Sequence, residues 1–166
     1  AKYANNEGKT VAKEPGSDII TSGARITNSY SKQARDFADM YYKEIRTFSS
    51  DAKRIAVNLG KDESDIRKIK AYLFEEKSFI DPDTGERKRF DPDCAIAQSW
   101  QRLMIGKDIK KHDRTLIEHE LLEMKIKSEN PSIEHWRAHE LATKKYDYDK
   151  EATEYYGNLE KYKKNK

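Results

Sequence analysis

The sequence predicts a mainly α-helical fold: a compact bundle of about six to seven helices, one small β-hairpin or loop, and a disordered N-terminal leader. Three observations lead there. Apolar residues make up 36% of the chain against 38% charged, so each element can offer a partner only a narrow apolar stripe, as amphipathic helices do. From Ser31 onward those apolar residues recur at helical spacing. Capping and turn residues then interrupt the stripes at helix-length intervals.

Residues 1–24 are rich in Lys, Asn, Gly, Ser and Thr and carry one apolar pair, Ile19-Ile20. Without periodicity they read as a disordered linker ahead of a helical, effector-like domain at 25–166. Ser31 is the expected N-cap of a first helix whose Ala34, Phe37, Ala38, Tyr41, Ile45 and Phe48 share one face. Ser50-Asp51 opens a second, short helix with Ile55 and Leu59, which Gly60 ends, and Asp62 opens a third with Ile66, Ile69 and Leu73 inside. Between Lys77 and Phe90 the period changes around Asp81-Pro82-Asp83-Thr84-Gly85, which is turn chemistry for a small hairpin or an irregular loop. Asp91-Pro92-Asp93 reads as a helix start with Asp91 as N-cap, followed by Ile96, Trp100 and Leu103 up to Gly106. Asp113 or a neighbour begins a fifth helix striped by Ile117, Leu121 and Met124; Asn130-Pro131-Ser132 separates it from a sixth with Trp136, His139 and Ala142. A last helix runs from about Asp149 through Tyr155, Leu159 and Tyr162.

Lys and Arg outnumber Asp and Glu by 33 to 30, a net charge of +3. That balance makes no bulk electrostatic case for nucleic acid or membrane, so any basic patch must be local. No run of about eighteen apolar residues exists to form a membrane span, and no charged-then-apolar leader reads as a secretory signal. The single cysteine, Cys94, has no partner for an internal disulfide and no CxxC pair for a finger-type zinc site, which points to a reducing, cytoplasmic site of action. The start without Met reads as a piece of a longer parent polypeptide lying N-terminal to it.

Two segments carry candidate function. Ala52 to Ile66 is similar to the helix-turn-helix of bacterial DNA-binding proteins: small Ala56, Gly60 at the turn and Ile66 in the interior agree with it. Lys61 directly after the glycine, and the acids Asp62, Glu63 and Asp65, run against it. Arg67, Lys68 and Lys70 would be its phosphate contacts, although charges on a short helix are ordinarily a solvated face.

The second is His112 to Glu123, the chemically richest stretch. At 3.6 residues per turn His112, His119 and Glu123 fall on one face, and the i, i+4 spacing of His119 and Glu123 lets them share a metal ion or a proton. Glu120 points elsewhere, beside the apolar stripe, where burial would raise its pKa toward that of a useful general acid or base. His135 and His139 repeat the i, i+4 interval on the next helix, and the short link between the two helices can bring His119 and His139 together. The His-Glu-x-x-His order of zinc proteases is absent, so a metal would need a ligand set assembled differently: His119, Glu123 and His139, holding a divalent ion. Glu120, His119, His139 and Arg102 are the catalytic candidates, Arg102 because an arginine one turn from Gln98 and Ser99 can hold a phosphate or a carboxylate. Hydrogen bonds between packed helices and i, i+4 ion pairs would use the same residues without any catalysis. Trp100 reads as core rather than as a stacking platform.

Arg89-Phe90-Asp91-Pro92-Asp93, Ile96 to Leu103, Leu116-Ile117-Glu118-His119-Glu120-Leu121 and Ala138-His139 together resemble a family of modules at the carboxyl ends of larger bacterial and prophage proteins, including phage minor head proteins and polymorphic toxins. The likeness covers Ser31 to Tyr162. It implies a context, a detachable effector or toxin-like module behind a delivery or virion-assembly region, with an immunity protein as a possible partner. It favours a nuclease or another small hydrolase and assigns no catalytic residue. The expected function is therefore hydrolysis, on nucleic acid first, through a His/Glu site. The alternative is a non-enzymatic DNA-binding or interaction module of a phage or mobile element.

Overall fold

The structure, a computed structural model, describes residues 4–5, 9–10, 28 and 30–164. The linker expected at 1–24 lies outside the described residues, apart from Ala4–Asn5 (β1) and Lys9–Thr10 (β2), which pair antiparallel. The rest is mainly helical, with seven α-helices among the described residues.

Helix α1 (Lys32–Thr47) starts where the Ser31 hydroxyl accepts the Ala34 N–H at 3.0 Å, and it buries Ala34, Phe37, Ala38, Tyr41, Tyr42 and Ile45. Helix α2 (Asp51–Leu59) ends at Gly60, whose φ of 67° turns the chain so that the Lys61 N–H reaches the Ala56 carbonyl at 2.9 Å. Asp62 then caps α3 (Glu63–Lys70) through the Ser64 N–H. The expected third helix runs to Leu73, but its last part widens into a π-helical turn, Ala71–Glu75, that buries Leu73 and Phe74 and turns Tyr72 into the wall of a cleft. The segment of changed period forms a hairpin, β3 (Phe79–Ile80) against β4 (Arg87–Lys88), closed by a turn with Gly85 at φ 75°.

Helix α4 (Cys94–Ile105) corrects one expectation. Asp93, not Asp91, is its N-cap, accepting the Ile96 N–H at 3.0 Å, and Pro92 stands before the helix rather than in its first turn. Helix α5 (Lys111–Glu129) places Asp113 in the first turn, where its carboxylate accepts the Lys110 N–H at 2.8 Å and is completely buried. In α6 (His135–Lys145) the buried face is Ala138 and Ala142, while Trp136 is exposed. Helix α7 is Tyr148–Lys164.

The main core gathers α1 to α4, the π-helical turn and Ile117 of α5 around Trp100, Phe74, Ile45, Ile55, Ile66, Ile69 and Leu103. Phe74 meets Trp100 edge to face at 4.9 Å. A smaller cluster, Leu116, Tyr148, Ala152 and Tyr156, fastens α7 to α5. The two alanines of α6 matter for the site. With only methyl groups at the contact, α6 lies close along α5, and the longer side chains flanking them meet across the hairpin.

Candidate metal centre

His119 and Glu123 occupy one face of α5, and both are buried. The His119 Nδ1 lies 3.0 Å from the Tyr146 carbonyl at the end of α6. A carbonyl only accepts, so Nδ1 carries the proton and, in the neutral ring, Nε2 presents a lone pair. That Nε2 faces Glu123 Oε1 at 3.3 Å and His139 Nδ1 at 3.2 Å, and His139 Nδ1 faces the same Oε1 at 3.1 Å. Three ligand-type atoms from two helices thus form a triangle with nearly equal edges. Adjacent ligands around an ion with bonds of about 2.0–2.2 Å stand at such separations, and a backbone carbonyl orienting the far nitrogen is the usual support of a metal-binding imidazole.

The other oxygen of Glu123 is held in place. Oε2 accepts Lys127 Nζ at 3.0 Å and the Tyr72 hydroxyl at 3.3 Å, with His135 Nδ1 at 3.7 Å. Tyr72 OH also lies 3.2 Å from His135 Nε2. Burial opposes ionisation of Glu123, yet its contacts with His119 and His139, which are hydrogen bonds when the ring nitrogen facing it carries a proton, and the hydrogen bond from Lys127 outweigh it and hold its carboxyl well below the usual range. Burial likewise works against protonated His119, but the Glu123 contact and the Glu120 charge raise its pKa overall. The Tyr72 phenol is pushed far up by burial and by the charges of Glu123 and Glu120, so it stays a neutral donor.

Glu120, the residue after His119, is rotated by about 100° around the helix and faces a cleft of about 550 Å³ shared with His119, Glu123, His135 and His139. It is 7% exposed, and no side-chain donor among the described residues hydrogen-bonds its carboxyl group. Burial, and next the Glu123 charge, push its pKa up to about 7. Tyr72, Phe79, Phe90 and Trp136 form an aromatic side of the same cleft.

Other candidates lie elsewhere. His112 shares the helical face of His119 but not its site, because seven residues separate them by about 10 Å of helix rise. It packs on Tyr155 and Tyr156 of α7, with Nε2 3.1 Å from Arg102. Arg102, expected to hold a phosphate or a carboxylate, holds a carboxylate inside the protein. Its Nε and Nη2 donate to Asp113 at 2.7 and 2.8 Å, and it does not line the cleft. Of the trio expected to meet DNA, Lys70 is buried and bonded to Asp51 at 2.9 Å and to the Phe48 carbonyl at 2.8 Å, so it cannot reach a phosphate. Arg67 is paired twice with Glu63, leaving Lys68 exposed. Lys61 pairs with Glu118, which ties the turn to α5. Sequence reasoning missed Tyr72; no local signal marks it, because it reaches Glu123 through a π-helical turn that periodicity does not report.

No family model, no curated protein and no solved structure matches the chain. The chemistry of the centre therefore rests on its own atoms.

Proposed function

We propose that this chain is a metal-dependent hydrolase whose divalent ion is held by His119, Glu123 and His139, with Glu120 as general base. The observation that carries the reading is the triangle of His119 Nε2, Glu123 Oε1 and His139 Nδ1, with edges of 3.1 to 3.3 Å. Acceptor-type atoms at that distance, two of the three on buried residues, repel one another unless protons or a cation sit between them. Held by these three side chains, a divalent ion would supply Lewis-acid polarisation of a substrate's carbonyl or phosphoryl oxygen.

The protein's own groups supply the rest. The Tyr146 carbonyl and the Lys127 ammonium orient His119 and Glu123, and Glu120 sits in the cleft wall without a hydrogen-bond donor of its own, placed to take a proton from water. The resemblance to detachable phage and toxin modules agrees with a small hydrolytic effector. Calorimetric titration with zinc, manganese and nickel tests the reading. One ion should bind per wild-type chain, and binding should be lost in His119→Ala with the circular dichroism of the helices retained. A wild-type chain that binds none of the three ions refutes it.

A further inference from the structure

If the centre is a metal hydrolase, the side chains lining the same cleft select its substrate. They include six carboxylates, Asp91, Asp93, Glu120, Glu123, Asp147 and Asp149, and neither Lys nor Arg. The nearest ammonium to the triangle, Lys127, is already bound to Glu123 at 3.0 Å. Affinity for nucleic acid comes chiefly from Lys and Arg on phosphates, and catalysis at phosphorus needs positive charge around the transferring group. A cleft lined by six acids repels a polyanion. It attracts a chain with basic side chains, and its aromatic side, Tyr72, Phe79, Phe90 and Trp136, offers apolar surface to the neighbours of such a residue.

The centre itself fits amide chemistry. Two imidazoles and one carboxylate, with a position left open, are the ligand set of catalytic zinc in peptide-hydrolysing enzymes. On such helices a ligand is followed directly by the glutamate that serves as base, with a second ligand four residues after the first. His119, Glu120 and Glu123 keep that order with a carboxylate in the last place, and α6 adds His139. Glu120 has the burial and the free carboxyl group the role requires, being 7% exposed and unbonded to any donor among the described residues. Beside it, Tyr72 OH and His135, 3.2 Å apart, are donors at the edge of the centre for an oxygen that gains negative charge.

We infer that the cleft hydrolyses a peptide bond in polypeptide segments carrying a basic side chain beside the scissile amide, an inference that rests on the metal-hydrolase reading. Water is the only co-reactant. Its oxygen bonds to the carbonyl carbon while Glu120 takes one of its protons. The C–N bond then breaks and Glu120 delivers that proton to the leaving nitrogen, giving a carboxylic acid and an amine, and transfer of the acid's remaining proton to the amine leaves a carboxylate and an ammonium. His135 and the Tyr72 hydroxyl, whose proton is shared with Glu123 Oε2 at 3.3 Å before substrate binds, are the hydrogen-bond donors for the carbonyl oxygen as its charge grows.

The full chain, loaded with zinc and assayed on quenched fluorogenic peptides with Lys, Arg, Leu or Asp fixed at each position in turn, tests the inference alongside RNA, duplex DNA and bis(p-nitrophenyl) phosphate. Peptides with Lys or Arg should be cleaved at least about tenfold faster than those with Asp. Glu120→Gln should lose about 10²- to 10⁴-fold in kcat, as for a general base, while binding zinc like wild type, and Tyr72→Phe should lower kcat with KM little changed. Cleavage of RNA, DNA or the phosphodiester with peptides untouched overturns the inference and leaves the metal-hydrolase reading standing. Zinc binding with no substrate cleaved overturns it too, and absence of zinc binding overturns both.

Discussion

The first turn of α5 holds Asp113 with Arg102, Ser99 and Lys110 around it; two turns further on, the same helix holds His119, Glu120 and Glu123. Asp113 is fully buried and accepts from Ser99 Oγ at 2.6 Å, from Arg102 Nε and Nη2 at 2.7 and 2.8 Å, and from the Lys110 N–H at 2.8 Å. Charge is balanced within the cluster. Burial alone would lower the Arg102 pKa, but Asp113 and Tyr156 raise it. The second cluster is equally buried on α5 and is assembled differently. Its acceptor-type atoms converge, its Glu120 has no donor, and it opens on a cleft through His139, whose side chain is 53% exposed. Burial of polar groups therefore does not separate a structural cluster from a reactive one. The carboxylate of the first cluster accepts four hydrogen bonds away from solvent, whereas Glu120 of the second accepts none from a side chain among the described residues and faces a cleft.

The largest expected effect lies in the closed cluster. Arg102→Ala strands a buried carboxylate and should cost about 3–5 kcal/mol of unfolding free energy, read as a fall in the urea midpoint. His139→Ala in metal-free protein should cost less than about 1 kcal/mol. Reversal of that order would break the comparison.

The open cluster should respond to metal where the closed one does not. Zinc at one hundred times its Kd should stabilise wild type by about 2.7 kcal/mol, and the gain should vanish on chelation and in His119→Ala. A thermal-shift series with Arg102→Met, in which the gain should survive on a lowered baseline, sharpens the distinction.

A third effect concerns pH. Burial, with the Arg102 charge opposing Asp113, lowers the pKa of His112 below its ordinary 6.5. The folded state therefore binds this proton more weakly than the unfolded chain. The contribution is fully favourable above about 6.5 and is lost as pH falls through that value toward the folded pKa. His112→Gln should flatten the acid side of the stability profile below pH 6.5, and an unchanged slope would show that this imidazole does not titrate on unfolding. The smallest effect belongs to the surface of α3. Lys68→Ala should alter stability by less than about 0.5 kcal/mol and leave any DNA retention at low salt unchanged.

Much of the fold is legible because each helix announces itself. Ser31, Gly60 and Gly106 mark helix boundaries where capping chemistry requires them, and the stripes through Ile45, Ile55, Trp100 and Ile117 are buried where periodicity places them. The errors arise from competition for the same side chain. Arg102 looks like an anion-binding arginine, but Asp113, in the first turn of the expected fifth helix, holds it inside. Lys70 looks like a surface cation, but Asp51, which also accepts the Trp100 indole N–H at 3.0 Å, draws it into the core.

Of the candidate site, the sequence by itself determined the residues on α5: the i, i+4 pair His119 and Glu123, and the offset of Glu120 toward the apolar side. Those come from the geometry of one helix, which neighbouring residues encode. The short link between α5 and α6 also named His139 as the third ligand, but only the tertiary structure decided the 3.1 to 3.3 Å spacing of the triangle, that Tyr72 and His135 reach the second oxygen of Glu123, and that Arg102 is turned away. These depend on how closely two alanines let α6 lie on α5 and on a π-helical turn in a distant segment, and distances between elements are not written in the period of either one.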